Sequence, residues 1–346
     1  MPAKYRFVIG TYTKKSKESV HYATFDPNHK SFELISHSDY IENPSFVELN
    51  KANNLVYVAS ESDSGDVVAL KFDKKTAKFS KLNQMPSGGA HTCHVVLDNT
   101  EKWLIASSYS GGSLAVFPIL SDGKLGEKSQ FIQYTGAGNN KERQEKAHIH
   151  SAFFSNDFKN VLVQDLGTDK IFNYTFENKK GKLKLVQELS LSAGSGPRHV
   201  VFHPTLPYVF VIQELTGKIS SLKIKNGKIS LIDEISSLPA GFKGENFSAD
   251  IHLSFDGRYV YASNRYIDTI VRCEIDPSTC KLKPLEQTSV KGKLPRNFAI
   301  TPDGKYMLVA NQGTDNIVAF RLENGKMVDI DAEMTVSMPV CIKFLN

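Results

Sequence analysis

Pro302-Asp303-Gly304-Lys305-Tyr306-Met307-Leu308-Val309-Ala310-Asn311 reads as a tight turn, then a buried strand that stops on a small polar residue. Asp-Gly supplies the local hydrogen bonds and left-handed backbone of a hairpin turn. The apolar run is rich in β-branched and aromatic residues and too short for a helix. The same run recurs at 55–60, 104–108, 161–165, 209–213 and 259–264. The copies end on polar residues at 60, 108, 165, 213, 264 and 311, a period of 47 to 57. Phe7-Val8-Ile9-Gly10 is a further copy, one period on when the chain is read from 311 through its end to its start. Each anchor run has a strand and a turn before it, a third strand after it, and then a charged fourth. Four antiparallel strands in about 50 residues make a propeller blade. The reading is an all-β, seven-bladed β-propeller of four-stranded antiparallel blades. The N- and C-terminal strands share one blade and close the ring. A β-sandwich would not produce seven matched hairpins with one terminus completing the other.

All 346 residues are thus expected to form one propeller domain, 1–346. With 40% hydrophobic and 23% charged residues, the chain is no collagen, coiled coil or wholly disordered protein. Its 42 basic and 37 acidic residues give a net charge of +5, mixed along the chain, so no nucleic-acid partner is expected. No apolar run approaches the roughly 18 residues of a membrane span, and no membrane partner is expected. Met1-Pro2-Ala3-Lys4-Tyr5-Arg6 carries no apolar secretory segment, which makes the cytoplasm the expected location. Cys93, Cys273, Cys280 and Cys341 form no CxxC pair and are expected as free thiols, although Cys273 and Cys280 flank one turn. A monomer or weak homodimer is expected.

In each hairpin the start of the first strand meets the end of the second, at an edge facing the central channel. Residues 16 apart meet there: His150 with Leu166, Arg198 with Glu214, Ala249 with Arg265, Arg296 with Gln312. Strand starts bring His94, His148, His150, Arg198, His199, Asp250 and Arg296 to that mouth. Strand ends bring Glu61, Tyr109, Glu214, Arg265 and Gln312. Convergent polar residues in a concave mouth suit a small ligand, and the cations suit an anionic one. Alternation puts both imidazoles of His148-Ile149-His150 on one strand face. An acid–base or hydrogen-bonding role is favoured over a metal, since no carboxylate or thiol partner stands out nearby. Gly194-Ser195-Gly196-Pro197 leads into Arg198, which can grip a carboxylate or phosphate, or else bridge to Glu214. Glu214 beside Arg198 and Arg265 stays ionised and is a candidate general base. Tyr109-Ser110-Gly111-Gly112-Ser113 is a tight inter-strand turn. The insertion at 136–146 is a solvated loop or a partial lid. No GxSxG or catalytic cysteine pattern occurs, and the scheme calls for no cofactor and no metal.

At these residues the chain resembles the lactonase family of seven-bladed propellers, which spans propeller-type 6-phosphogluconolactonases and carboxymuconate-lactonizing enzymes. The carriers are Gly10-Thr11-Tyr12-Thr13, His94, Tyr109-Ser110-Gly111-Gly112, His148-Ile149-His150 and Asp165-Leu166-Gly167. Gly196-Pro197-Arg198-His199, Gln213-Glu214-Leu215, Ser263-Asn264-Arg265 and Ala310-Asn311-Gln312 complete the set. The resemblance implies catalytic residues at His148 or His150, Arg198, Glu214 and Arg265. His94, Tyr109, His199, Asp250, Arg296 and Gln312 are then expected to bind substrate. It implies hydrolysis of a sugar lactone, 6-phosphogluconolactone first, with a muconate cycloisomerase or a non-catalytic binding platform as alternatives. Gln213, Asp250 and Asn297 depart from the family pattern, which usually has Asn, Glu and His there.

Overall fold

The anchor runs are continuous in apolar character because both of their faces are covered. Tyr208–Gln213 is buried at every position, and Leu55–Ser60 and Tyr306–Asn311 at all but the first. The outer strands, such as Lys182–Ser190, alternate instead between exposed and covered positions. The computed structural model describes residues 4–345; residues 1–3, part of the N-terminal reading above, and 346 lie outside it. The described residues form seven four-stranded antiparallel sheets and no helix.

Blade 1 runs outward from the axis as Pro44–Leu49, Leu55–Ser60, Asp66–Asp73 and Lys78–Pro86. The innermost strands of blades 2 to 6 are Thr92–Leu97, Ile149–Phe154, Pro197–Phe202, Ser248–Leu253 and Pro295–Ile300. In blade 7 the innermost strand is the C-terminal Pro339–Phe344, and Tyr5–Thr11, His21–Asp26 and Ser31–His37 lie outside it. Pro339–Phe344 packs on the innermost strands of both blade 6 and blade 1, so the ring closes through the shared blade. The core lies between blades: Phe7, Ile9 and Phe25 of blade 7 pack with Leu308, Ala310 and Ile317 of blade 6. Burying a side chain such as Phe7 or Phe25 contributes about 1.5–3 kcal/mol. All four cysteines are free and buried.

One irregularity recurs in every blade and decides where the site forms. Each innermost strand bulges near its start. Pro197 pairs with Gln213 and His199 with Ile212, so Arg198 is the extra residue. His150, Arg296, Cys93, Ser45 and Val340 are the extra residues in blades 3, 6, 2, 1 and 7. Blade 5 sets Ala249 and Asp250 against Ser263. A bulge re-aims a side chain and breaks strict alternation. Six of these residues, His150, Arg198, Arg296, Cys93, Ser45 and Val340, therefore line one void on the axis.

Candidate active site

Above that void opens a cavity of about 190 Å³, lined by Tyr12, Glu61, Cys93, Tyr109, Arg143, His150, Glu214, Arg265 and Arg296. Apart from the cysteine, every lining residue carries a polar or ionisable group. Larger hollows of about 740 and 790 Å³ lie elsewhere, but the charged residues lining them are exposed or half-exposed.

Glu214 is the hub. It follows the second strand of blade 4 and is 3% exposed. Arg143 donates to its Oε1 at 2.5 Å, Arg198 Nε donates to Oε2 at 3.0 Å, and Arg265 Nη2 forms an ion pair with Oε2 at 2.9 Å. Burial alone would raise the carboxyl; Arg265, Arg198 and Arg143 outweigh it and bring it down to about 2. Arg198 also donates to Ala249 O at 2.6 Å and lies beneath Glu214, in the wall of the axial void. It thus makes the bridge to Glu214 that its position allowed. Burial pulls its guanidinium down to about 10, and it stays charged at neutral pH. Gly196, two residues before it, has φ +60, and a Cβ there would lie 2.7 Å from Leu215.

Arg296 differs from the other three arginines. Its guanidinium lies over the Tyr12 ring at 5.2 Å, and it makes no hydrogen bond or ion pair to any described residue. Burial would lower it, but Tyr12, Glu61 and Glu214 hold it above the ordinary value. Tyr12 is fixed by donating to Glu61 Oε2 at 2.8 Å. Four guanidiniums thus face two carboxylates around the cavity and its floor, and a double positive charge remains.

The two histidines of His148-Ile149-His150 separate, because the bulge at His150 breaks the alternation that would put them on one face. His150 lines the cavity; its Nδ1 is buried with no protein partner. Burial, then Arg198 and His199, hold it well below the usual imidazole value, so it is neutral. His148 stacks on Tyr109 at 4.3 Å, with Nδ1 on Tyr109 O at 3.1 Å and Nε2 on Glu145 at 3.1 Å. Glu145 is the carboxylate partner that the sequence reading did not find. Among the described residues no group of three or more His, Cys, Asp or Glu is placed to hold a metal.

Six residues expected at the mouth fall outside the cavity lining: His148 and Arg198, which border it as described, and four others. His199 and Asp250 form a buried pair below it, Nδ1 to Oδ1 at 2.8 Å, and burial pulls His199 down to about 4. His94 packs among Phe46, Phe153 and His199. Gln312 donates its backbone N–H to Leu294 O at 3.1 Å and reaches no residue of the cavity. For His199 the reason is the bulge: Arg198, the extra residue, turns to Glu214, and His199 lines the axial void and the cavity below it instead. Asp250 and Asn297, two departures from the family pattern, touch each other, with Asn297 Nδ2 donating to Asp250 Oδ2 at 2.5 Å. Gln213, the third, is buried and donates to Ser220 Oγ at 2.7 Å, away from the cavity. Three lining residues, Tyr12, Cys93 and Arg143, were not singled out as site residues in the sequence. Arg143 comes from the inserted loop, which therefore reaches over the site, with its guanidinium 4.7 Å from the Phe247 ring. The insertion was the available signal.

The sequence matches the family described as Lactonase, 7-bladed beta-propeller, over residues 6–344. It is 33% identical to a 6-phosphogluconolactonase of Bacillus subtilis over 99% of both chains. It is 35% identical to one of Formosa agariphila, covering 95% of this chain and 96% of that one. A structure of the Pseudomonas aeruginosa periplasmic gluconolactonase superposes with a TM-score of 0.92 at 27% identity, over 99% of each chain. With its closed seven-blade ring and its arginine-rich axial cavity, the chain belongs to the seven-bladed β-propeller lactonases, and its enzyme class is lactone hydrolase.

Proposed function

We propose that the protein hydrolyses a phosphorylated sugar lactone, 6-phosphogluconolactone to 6-phosphogluconate, the lactone-opening step of the pentose phosphate pathway. The observation that carries the reading is the charge left over in the cavity. Four arginines against two carboxylates leave about two positive charges, and a phosphate monoester carries about −1.5 to −2 at neutral pH. Arg296, stacked on Tyr12 and without an ion pair, is the phosphate anchor, with Arg265 and Arg143 lining the same cavity. Arginine suits this role because its planar fork matches phosphate oxygens.

His150 is the group that takes the proton from the attacking water. It faces the cavity with no protein hydrogen bond on its ring, whereas Glu214 is committed to three arginines. A bound dianion offsets the cations that depress His150 and so raises its basicity. The water oxygen forms a bond to the lactone carbonyl carbon, the carbonyl oxygen gains charge near the guanidiniums, and the ring C–O bond then breaks. The ring oxygen leaves as an alcohol, taking the proton back from the His150 imidazolium. Glu214 keeps the arginines aimed, and Arg198 props Glu214 from below. A cytoplasmic location goes with this reading, since a charged phosphate ester stays on the side of a membrane where it is made.

A dicarboxylate would also match two positive charges, so a muconate cycloisomerase is the second reading. Purified protein should accelerate acid release from 6-phosphogluconolactone above its spontaneous opening and leave the ultraviolet spectrum of carboxymuconate unchanged. An unchanged lactone opening rate with turnover of carboxymuconate would reverse the order of the two readings.

A further inference from the structure

A third carboxylate, outside the cavity, touches both segments that lead to Arg143 and Arg198. Asp169 lies in the turn between Asn160–Asp165 and Lys170–Glu177, with φ +59, and is 5% exposed. No cation pairs with it among the described residues. Four neutral donors meet it instead. Oδ1 accepts from Gln144 Nε2 at 2.7 Å, Ser195 Oγ at 3.0 Å and Gly196 N at 2.8 Å, and Oδ2 accepts from Gly194 N at 2.7 Å.

These donors lie on the two segments that carry arginines to Glu214. Gln144 is the neighbour of Arg143 and is fully buried. Its Nε2 also donates to Leu166 O at 2.8 Å, and its Oε1 accepts from Asn140 N at 3.0 Å. Its carbonyl accepts from Gly138 N at 2.9 Å, which closes the inserted loop on itself. Gly196 lies two residues before Arg198, the bulged residue of blade 4. Arg143 and Arg198 then meet again on opposite oxygens of Glu214. The chain of contacts is a closed circuit: Asp169, Gln144, Arg143, Glu214, Arg198, Gly196 and back to Asp169.

We propose that Asp169 and Gln144 are positioning residues for the arginines that meet at Glu214, fixing the loop that carries Arg143 to the strand that carries Arg198. This rests on the reading of the cavity as the lactone site. The inserted loop is then a fixed wall of the cavity and not a mobile lid. A carboxylate suits the task because it accepts from several backbone and side-chain donors at once. Neither residue lines the cavity, so both act through the arginines.

The test has two arms. In the first, amide hydrogen exchange is measured on the free protein and on Gln144→Met and Asp169→Asn, which needs no substrate. Faster exchange in both 138–144 and 194–196, with the other blades unchanged, is expected for Asp169→Asn. Faster exchange in only one of the two segments would overturn the coupling. In the second arm, Gln144→Met is compared in the wild type and in an Arg143→Met background, with 6-phosphogluconolactone as substrate. A loss of about tenfold in kcat/KM, mostly through KM, is expected in the wild type, and less than about twofold in the Arg143→Met background. An equal loss in both backgrounds, or a lower melting temperature with unchanged KM, would overturn the positioning role. If the wild type opens no lactone, the lactone reading fails, while the exchange arm still decides the coupling. Gln144→Met is the milder variant and serves that arm alone if Asp169→Asn does not fold.

Discussion

The two ends of the channel are built from the same seven strands and differ in how their charges are settled. At the upper end, Glu214 meets three arginines and Arg296 stands without an ion pair. The lower end opens into a cavity of about 550 Å³ with Phe153, Phe202, Phe255 and Phe344 in its walls. There Lys343 is paired with Glu48 at 3.0 Å, and His252 with Asp250 at 3.0 Å. Each lower charge has its partner, so this end, although the larger of the two, is chemically quiet. Cavity size is therefore a poorer guide to this site than unsettled charge. What divides the ends is one extra residue per innermost strand, which sends His150 and Arg296 to the upper cavity while His199 and Asn297 line the lower one.

If that contrast is right, histidines at the two ends answer differently. His150→Gln should lower kcat by about 10²–10⁴-fold, the usual range for a general acid–base group. His252→Gln, at the lower end and 38% exposed on its side chain, should leave kcat within about twofold. Equal losses in steady-state kinetics would break the distinction. His148→Gln should cost less than His150→Gln, because His148 is occupied by Tyr109 and Glu145.

Stability should divide the ends as well. Glu214→Gln leaves buried guanidiniums around a neutral amide and should cost about 3–5 kcal/mol in urea unfolding. Glu48→Gln breaks a half-exposed pair with Lys343 and should cost at most about 1 kcal/mol. Similar costs would mean that the upper cluster is as solvated as the lower one.

Acid should act on the channel in a defined direction. Burial holds His150 well below the ordinary imidazole value and His199 at about 4. Their unfolded counterparts take protons near 6.5. Between those values the unfolded chain binds more protons, so stability falls as pH drops from about 6.5 toward 4. Glu214, held at about 2, is a depressed carboxylate, so its contribution is present above the ordinary carboxylate range and fades as pH falls toward 2. Both slopes have the same sign. The melting temperature should decrease steadily from pH 7 to pH 4, and a flat profile would contradict the buried neutral state of these histidines.

The blades were legible in the sequence because a strand buried on both faces has to be apolar along its whole length. Tyr306–Asn311 and its relatives therefore stand out at a regular period. The shared blade followed from the same count, since Phe7-Val8-Ile9-Gly10 falls one period after 311. The gathering of Arg198, Glu214, Arg265 and Arg296 followed from hairpin geometry. The bulges were not legible, because an extra residue in a strand changes no residue type. Without them the sequence puts His148 and His150 on one face, and His199 and Asp250 in the mouth with Arg198. Arg143 was hidden for another reason: it comes from a loop, where no strand period points to the axis.

The most direct measurement compares a phosphorylated with an unphosphorylated sugar lactone. If the unpaired Arg296 and its neighbours select a dianion, kcat/KM for 6-phosphogluconolactone should exceed that for gluconolactone by about 10–100-fold, the equivalent of one charge-assisted contact worth about 1.5–3 kcal/mol. Arg296→Met should remove most of that ratio by raising KM for the phosphorylated lactone alone. Equal kcat/KM for the two lactones in the wild type would contradict the claim that unsettled positive charge at the upper end of the channel defines this enzyme's substrate.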